Sequence, residues 1–502
     1  MWKHRMKEHQ MKEIRAKRIM FAAPGSHSGK TTVTCGFLEV LKRRGLEPVS
    51  FKCGPDYIDP MFHESVLKVP CRNLDTYFAG TEGVRDILAG CGDRYAVVEG
   101  AMGIYDGARL DDLTGSAYEI AEATKTPIVL VVDGSGMGRT LLSLIRGVLA
   151  DDTAHLIRGI LLNKISEGYY RSLEPVLKQA LEELRTGVRL LGCLPKQKEI
   201  TIESRHLGLK LPGEMEDLYR KTKAAGELLL KCVDIDQLLR IMEDAPVLHR
   251  DETPVLHRET EPVQNDVPGL KEEDPAFGTG LTLAVARDDA FCFYYRENLE
   301  LFERYGVRLQ YFSPLRDREV PPEADGILLG GGYPELYLKE LSENTSMLHS
   351  VRSRIAAGTP SLAECGGFMY LHKTIIDAEG VSYPMAGILE GECRFTGHLV
   401  RFGYMRLREI HDAGIASDEM YRSLVGMKGH EFHYYDSTVC GDAYVAEKPY
   451  KPAEWTCINV GTAGTAGGSG IWGFPHLYYG SKPEFVRSFI RRMREVSDGT
   501  VT

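Results

Sequence analysis

The sequence has 502 residues, 43% of them hydrophobic and 26% charged, which exceeds the size at which a single core stops growing and predicts two or three domains. Its formal net charge of −10 argues against a nucleic-acid partner, which would need an electropositive surface, and no apolar run is long enough to cross a bilayer, so no membrane is expected either. The 11 cysteines form an odd, scattered set without a C-x-x-C pair or a secretory signal, which points to reduced thiols in a cytoplasmic setting and away from zinc.

Residues 1–17 are basic, lack an apolar segment and read as a disordered extension. From Arg18 onward, short apolar runs alternate with amphipathic stretches, the pattern of strand-helix units in a parallel sheet. The predicted strands are Ile19–Ala22, Val49–Phe51, Ala96–Val98, Ile128–Val132, Gly159–Leu162 and Arg189–Leu194, most of them delivering a polar residue at the carboxyl end. Residues 18–242 form this first domain. Residues 243–278 are rich in Pro, Glu, Asp and Thr, contain a tandem Pro-Val-Leu-His-Arg echo, and read as a flexible linker. A second alternation begins at Leu281–Ala286, passes through Gly326–Gly330 and the segment around Cys365, and closes with a helix from Pro483 to Val496, giving a second domain over 279–497. The expected class is α/β, with two doubly wound, mostly parallel sheets.

Between the first strand and a predicted helix, Val33–Arg44, stands Ala23-Pro24-Gly25-Ser26-His27-Ser28-Gly29-Lys30-Thr31-Thr32. Backbone N–H groups in such a loop cradle phosphates, with Lys30 neutralising their charge and the Thr31 hydroxyl joining a Mg²⁺ shell. Pro24 stands where the usual pattern has glycine, which makes the first turn unusual. Three acidic segments follow near the same edge: Lys52-Cys53-Gly54-Pro55-Asp56-Tyr57-Ile58-Asp59-Pro60, Val98-Glu99-Gly100 and Gly103-Ile104-Tyr105-Asp106-Gly107. Magnesium needs only one or two carboxylates beside Thr31, and Thr31, Glu99 and Asp56 are the choice. Asp59 and Asp106 are left to position the substrate, while turn capping is the plain structural alternative for Asp56 and Asp59.

In the second domain, Ala363-Glu364-Cys365-Gly366-Gly367 lies between a small-residue run and a predicted helix, Phe368–Lys373. A thiol on such an elbow sits at a helix N-terminus, where the dipole favours thiolate. The plain alternative is an inert buried cysteine. Upstream, Gly330-Gly331-Gly332-Tyr333-Pro334-Glu335 closes a strand and offers backbone N–H groups for an oxyanion hole, with Gly331, Gly332 and Gly366 as candidates.

These segments, together with Ser204-Arg205-His206-Leu207-Gly208-Leu209, resemble the cobyrinic acid a,c-diamide synthase family, from Arg18 to Val486 apart from the linker. The resemblance implies a dethiobiotin-synthetase-like N-terminal domain and a class I glutamine amidotransferase domain. It implies ATP-dependent activation of the a and c carboxylates of cobyrinic acid as acyl phosphates and their amidation with ammonia from glutamine. ATP enters as substrate with Mg²⁺; glutamine and a corrinoid polycarboxylate are the partners, and a homodimer is implied. Within that frame Gly25, Ser26, Ser28, Gly29, Lys30, Thr31, Thr32 and Asn163 bind nucleotide, while Tyr57, Asp59 and Asp106 bind substrate. Cys365 is the nucleophile and His476 its base. Tyr478 stands where many class I members carry an orienting acid, so the resemblance leaves a dyad or a triad completed from elsewhere. His430 and His433 are the runner-up base or substrate contacts. Hydrogenobyrinic acid and nickel-sirohydrochlorin are the alternative substrates, and a P-loop regulatory or partitioning ATPase with an inactive amidotransferase-like domain is the alternative of another class.

Overall fold

The computed structural model describes residues 12–14, 16–184, 187–200, 212–250, 276–461 and 469–500. The 204–209 motif, most of the 243–278 stretch and the centre of the Gly461–Gly470 tract lie outside these. The chain divides into two compact units, Met1–Thr260 and Glu261–Thr502, and the division falls inside the 243–278 stretch.

The first unit is built on seven strands in the order Cys71–Leu74, Pro48–Cys53, Tyr95–Glu99, Lys17–Ala22, Ile128–Asp133, Ile157–Asn163, Arg189–Leu194. Every neighbouring pair is parallel. Strand residues alternate between two buried cores: Ile19, Phe21, Val97, Val129 and Val131 belong to one, Met20, Ala22, Val98, Leu130 and Val132 to the other. Both sheet faces are therefore covered, which is why these strands read as unbroken apolar runs. The helix Lys30–Arg43 packs on the helix Pro212–Cys232, and Gly36 permits the close approach: a Cβ there would lie 3.1 Å from Ala225 Cβ. Register then aligns the functional ends, with Lys52 opposite Glu99 and Asp133 opposite Asn163.

At the flanks of this unit, Lys12–Ile14 pairs antiparallel with Leu248–Arg250, and Lys17 already belongs to the first long strand. A buried arginine lies beside this pairing. Arg18, fully enclosed, donates to the carbonyls of Ala16, Thr124, Lys125 and Pro246, tying both flanks to the sheet, while Leu248 enters the core.

The second unit carries a six-stranded sheet in the order Arg308–Phe312, Thr282–Ala286, Gly326–Leu329, Ser361–Glu364, Gly470–Gly473, Asn459–Val460. All its pairings are parallel except the last. Beside it stands an antiparallel sheet that the sequence reading did not anticipate: Glu454–Cys457, Tyr444–Glu447, Arg401–Ile410, Lys428–His433, His476–Tyr478. The helix expected over Phe368–Lys373 is Gly366–Tyr370, after which His372–Ile376 pairs with Leu389–Phe395. His372 is buried there, its Nδ1 2.9 Å from the Phe368 carbonyl, so the chain leaves the helix early. The closing helix runs Pro483–Ser497.

Candidate functional site

At the carboxyl edge of the first sheet, the loop 23–32 is braced from two sides. Gly29 adopts φ 89°, and a Cβ there would meet Asn163 Nδ2 at 2.1 Å, so both conformation and space demand glycine. Asn163 donates to the Ser28 carbonyl at 2.8 Å, and Lys164 Nζ donates to the His27 carbonyl at 2.7 Å while pairing with Asp133 at 2.6 Å. Ser28 Oγ donates to the Gly25 carbonyl at 2.9 Å. On the other side, Ile104 N–H donates to the Ala23 carbonyl at 2.7 Å, and Gly103 packs on the Pro24 carbonyl. This second brace supports the turn in which Pro24 replaces glycine. Ser26 and His27 are exposed at the crown, with Gly25, Thr31 and Thr32 half-buried.

Lys30 Nζ donates to the carbonyls of Met102 at 2.5 Å and Gly25 at 3.2 Å. Burial, then the neighbouring Lys52, lowers its ammonium to about 8. A compact charge cluster lies beside it. Thr31 Oγ1 donates to Glu99 Oε1 at 2.6 Å, and Lys52 Nζ donates to the same oxygen at 2.9 Å. Lys52 also pairs with Asp59 Oδ2 at 2.5 Å and stands 4.0 Å from Asp56 Oδ2. Burial alone would discharge Lys52, but Asp59 and Glu99 outweigh it and hold the ammonium above its ordinary range. Glu99 is completely buried, which pushes its carboxyl up against the pull of Lys52. Its second oxygen has no hydrogen-bond partner among the described residues and lies 3.7 Å from His63 Nε2. His63, fully buried and lowered to about 4 by that burial, has Ser50 Oγ 3.0 Å from Nδ1 and Cys35 Sγ 3.5 Å from Nε2.

Asp56 Oδ1 accepts from the N–H groups of Ile58 and Asp59 at 2.8 and 3.2 Å, the turn-capping geometry, and burial followed by Asp59 raises its carboxyl to about 6. Tyr57 is half-buried at the start of the helix Ile58–Ser65. Asp106 is exposed and accepts from Gly103 N–H at 2.9 Å. A cavity of about 360 Å³, lined by Gly134, Ser135, Gly138, Lys164, Ser166 and Tyr169 among others, opens beyond Asn163. The amide of Asn163 itself is engaged: its nitrogen bonds the loop and its oxygen accepts from Lys164 N–H at 2.9 Å.

The second unit assembles a different kind of site. Ser361–Glu364 ends at Cys365, whose φ of 46° and ψ of −103° place it in a strained turn at the start of the helix Gly366–Tyr370. Cys365 N–H donates to the Gly473 carbonyl at 2.8 Å and Gly367 N–H to the Gly330 carbonyl at 2.9 Å, fixing the elbow against both neighbouring strands. Gly331 lies under His476, since a Cβ there would meet Cε1 at 2.2 Å. A Cβ on Gly366 would stand 3.2 Å from the Gly332 nitrogen, so the three glycines and the histidine share one small volume. Burial, then Glu335, pushes the Cys365 thiol up, so the helix terminus does not by itself yield a resting thiolate. Glu335 is raised to about 7 by burial. His476 is buried and lowered to about 3.

Glu364 contributes what the sequence reading passed over. Its Oε2 lies 4.0 Å from His476 Nδ1, and its Oε1 accepts from the Tyr479 hydroxyl at 2.7 Å. His430 pairs with His476 across the ladder and contacts the rings of Phe402 and Tyr404, with burial lowering it to about 3. His433 departs from the expected substrate role: it is buried and stacked on Phe474 at 3.9 Å, with Nδ1 2.6 Å from the Tyr435 carbonyl and Nε2 3.3 Å from Glu431. Lys52 and Glu364 are each the one charged residue of a short buried strand, and that is the signal by which both are findable from sequence. Tyr479 carries no such signal.

A nucleotide-binding loop domain joined in one chain to a thiol-elbow amidotransferase domain defines a glutamine-dependent amide ligase. Residues 19–209 match the family described as CobQ/CobB/MinD/ParA nucleotide binding domain, and residues 282–460 the CobB/CobQ-like glutamine amidotransferase domain. The cobyrinate a,c-diamide synthase of Clostridium tetani is 35% identical over 95% of this chain and 100% of its own length. That of Picrophilus torridus is 33% identical over 95% and 99%, and that of Caldanaerobacter subterraneus subsp. tengcongensis 35% over 94% and 98%. The chain belongs to the cobyrinate a,c-diamide synthase family. Among the described residues no helix is long and apolar enough to cross a membrane, and none of the 11 cysteines forms a disulfide.

Proposed function

We propose that this enzyme performs the ATP-dependent, glutamine-hydrolysing amidation of the a and c carboxylates of cobyrinic acid through acyl phosphates, in cobalamin biosynthesis. The observation that carries the reading is the Lys30, Thr31 and Glu99 constellation at the loop, in a chain that also bears the strained Cys365 elbow. A carboxylate is a poor electrophile, and transfer of the terminal phosphoryl group turns its oxygen into a leaving group. The protein's task is then to place charge. Lys30, now turned onto two carbonyls, swings to the phosphates, and the N–H groups of 25–32 receive them. Asn163 holds the loop, and its neighbour Lys164 lines the cavity of about 360 Å³ that would receive the base.

Thr31 and Glu99 fit Mg²⁺, because Glu99 offers a buried oxygen without a hydrogen bond; Asp56 stands as the further ligand. When bound, the ion neutralises charge on the phosphates. Lys52 bridges Glu99 and Asp59 inside the fold and, against burial, holds the Asp59 carboxyl below its ordinary range, while Tyr57, Asp59 and Asp106 border the substrate. His430 remains a substrate contact in this reading, and His433, whose nitrogens are engaged, does not. In the other unit, His476 accepts the Cys365 proton, the sulfur attacks the glutamine amide, and N–H groups at Gly331, Gly332 and Gly366 receive the oxyanion. The strain stored at Cys365 speaks for a working nucleophile over an inactive binding domain.

The test is to incubate the full chain with ATP, Mg²⁺, glutamine and cobyrinic acid and weigh the corrinoid. Two successive replacements of a hydroxyl by an amine are expected. Parallel incubations with hydrogenobyrinic acid and nickel-sirohydrochlorin discriminate the alternative substrates, and no mass change with any of the three would sink the assignment.

A further inference from the structure

We propose that Glu364 completes the thiol site as a positioning residue, holding the His476 imidazole in place and balancing its charge once it has taken the Cys365 proton. The inference rests on the reading of Cys365 and His476 given above. The residue two after His476 is Tyr478, so that strand supplies no acid of its own. Glu364 arrives instead from the adjoining segment, immediately before the nucleophile, with Oε2 4.0 Å from His476 Nδ1.

The carboxyl is not loosely placed. Tyr479 donates to Oε1 at 2.7 Å, and Leu477 N–H is a further donor to the group. Both donors belong to the stretch that carries His476. That stretch is itself pinned by Asn298, which donates to the Leu477 carbonyl at 2.7 Å and accepts from Tyr479 N–H at 2.8 Å. Acid and imidazole are therefore fixed to one scaffold. Among the described residues, His476 is the only ion-pair partner of Glu364, so no lysine or arginine explains a carboxyl this deeply placed. Burial raises Glu364 to about 8 and lowers His476 to about 3, so both groups rest neutral near pH 7. The other titratable groups facing the pair are Tyr294, Tyr479, His430 and His433, with Glu335 and Glu431 near the thiol.

In the step served, the Cys365 S–H bond breaks and its proton passes to His476, while the sulfur electron pair bonds to the amide carbon of glutamine. As the C–N bond breaks, that proton leaves with ammonia. Water then hydrolyses the thioester, releasing glutamate and restoring the thiol.

The experiment compares full-length Glu364→Gln, Glu364→Asp and Cys365→Ser by glutamine hydrolysis across pH, with ammonia-dependent amidation as the control for folding. Glu364→Gln is expected to lower kcat on the order of 10²-fold with KM little changed, and to move the acid limb of the pH profile downward, because the imidazolium has lost its counter-charge. Glu364→Asp should recover part of the rate. A Glu364→Gln enzyme with kcat within about threefold of the parent and an unmoved pH profile overturns the proposal. Equal loss of the glutamine- and ammonia-dependent rates also overturns it, since a purely structural residue predicts that result. Glutamine hydrolysis surviving in Cys365→Ser sinks the underlying reading of the site instead.

Discussion

The two sites lie at the carboxyl ends of parallel sheets, yet they handle charge in opposite ways. In the first unit an ion pair is preformed: Lys52 stays charged against Asp59, and Glu99, completely buried and pushed up by that burial, accepts from the same ammonium. In the second unit the groups rest neutral, with the Cys365 thiol pushed up and His476 pushed down by burial. Phosphates arrive already charged, so the site proposed for them has its cations, Lys30 and Lys52, held in place beforehand. A thiol needs its charge only for an instant, and in the proposed mechanism His476 takes the proton only as the sulfur attacks glutamine.

The largest expected effect comes from Cys365→Ser, which should cut glutamine-dependent amidation by at least about 10³-fold while ammonia-dependent amidation persists. Coupled assays with each nitrogen source check this, and joint loss would break the separation of the two sites. Lys52→Met should strand Glu99 and Asp59 without their cation and destabilise the first unit by about 3 kcal/mol, read as lost hydrogen-exchange protection in the strand Pro48–Cys53. Unchanged protection would mean that the cluster is not the preformed device described. Gly331→Ala, whose methyl would collide with the His476 ring, should lower glutamine hydrolysis by roughly tenfold with little change in nucleotide turnover.

The gentlest probe is pH. His372, lowered to about 4, and His430 and His476, lowered to about 3, bind protons more weakly in the folded chain than in the unfolded one. Unfolding therefore takes up protons, and stability falls as pH drops from about 6.5 through those values. Glu364, raised to about 8, works oppositely: its contribution is full below its ordinary 4.5 and is lost as pH rises through about 8. Protection of the second unit against hydrogen exchange should peak between these limits, and Glu364→Gln should flatten its alkaline side.

Much of the first unit was legible because strands covered on both faces spell themselves out as apolar runs ending in polar residues, as Ala96–Val98 does before Glu99. The elbow was legible too, from small residues flanking Cys365. What sequence hid depends on tertiary register. Nothing local tells that Arg18 will gather four carbonyls from distant segments, or that Lys52 will face Glu99 across a ladder. The antiparallel sheet was hidden for another reason: strands such as Arg401–Ile410 and Lys428–His433 are exposed on one side, and their charged alternation resembles loop. His433 illustrates the same limit, because only the stacked Phe474 reveals it as a packing residue.

The backbone at Cys365 carries one more implication. Its positive φ suits glycine better than any residue with a side chain, at a penalty of about 1–3 kcal/mol. A Cys365→Gly chain should thus resist heat better than its parent while hydrolysing no glutamine. Wherever selection for ammonia release lapsed in such a lineage, drift would favour glycine at this corner, leaving a sturdier and silent descendant.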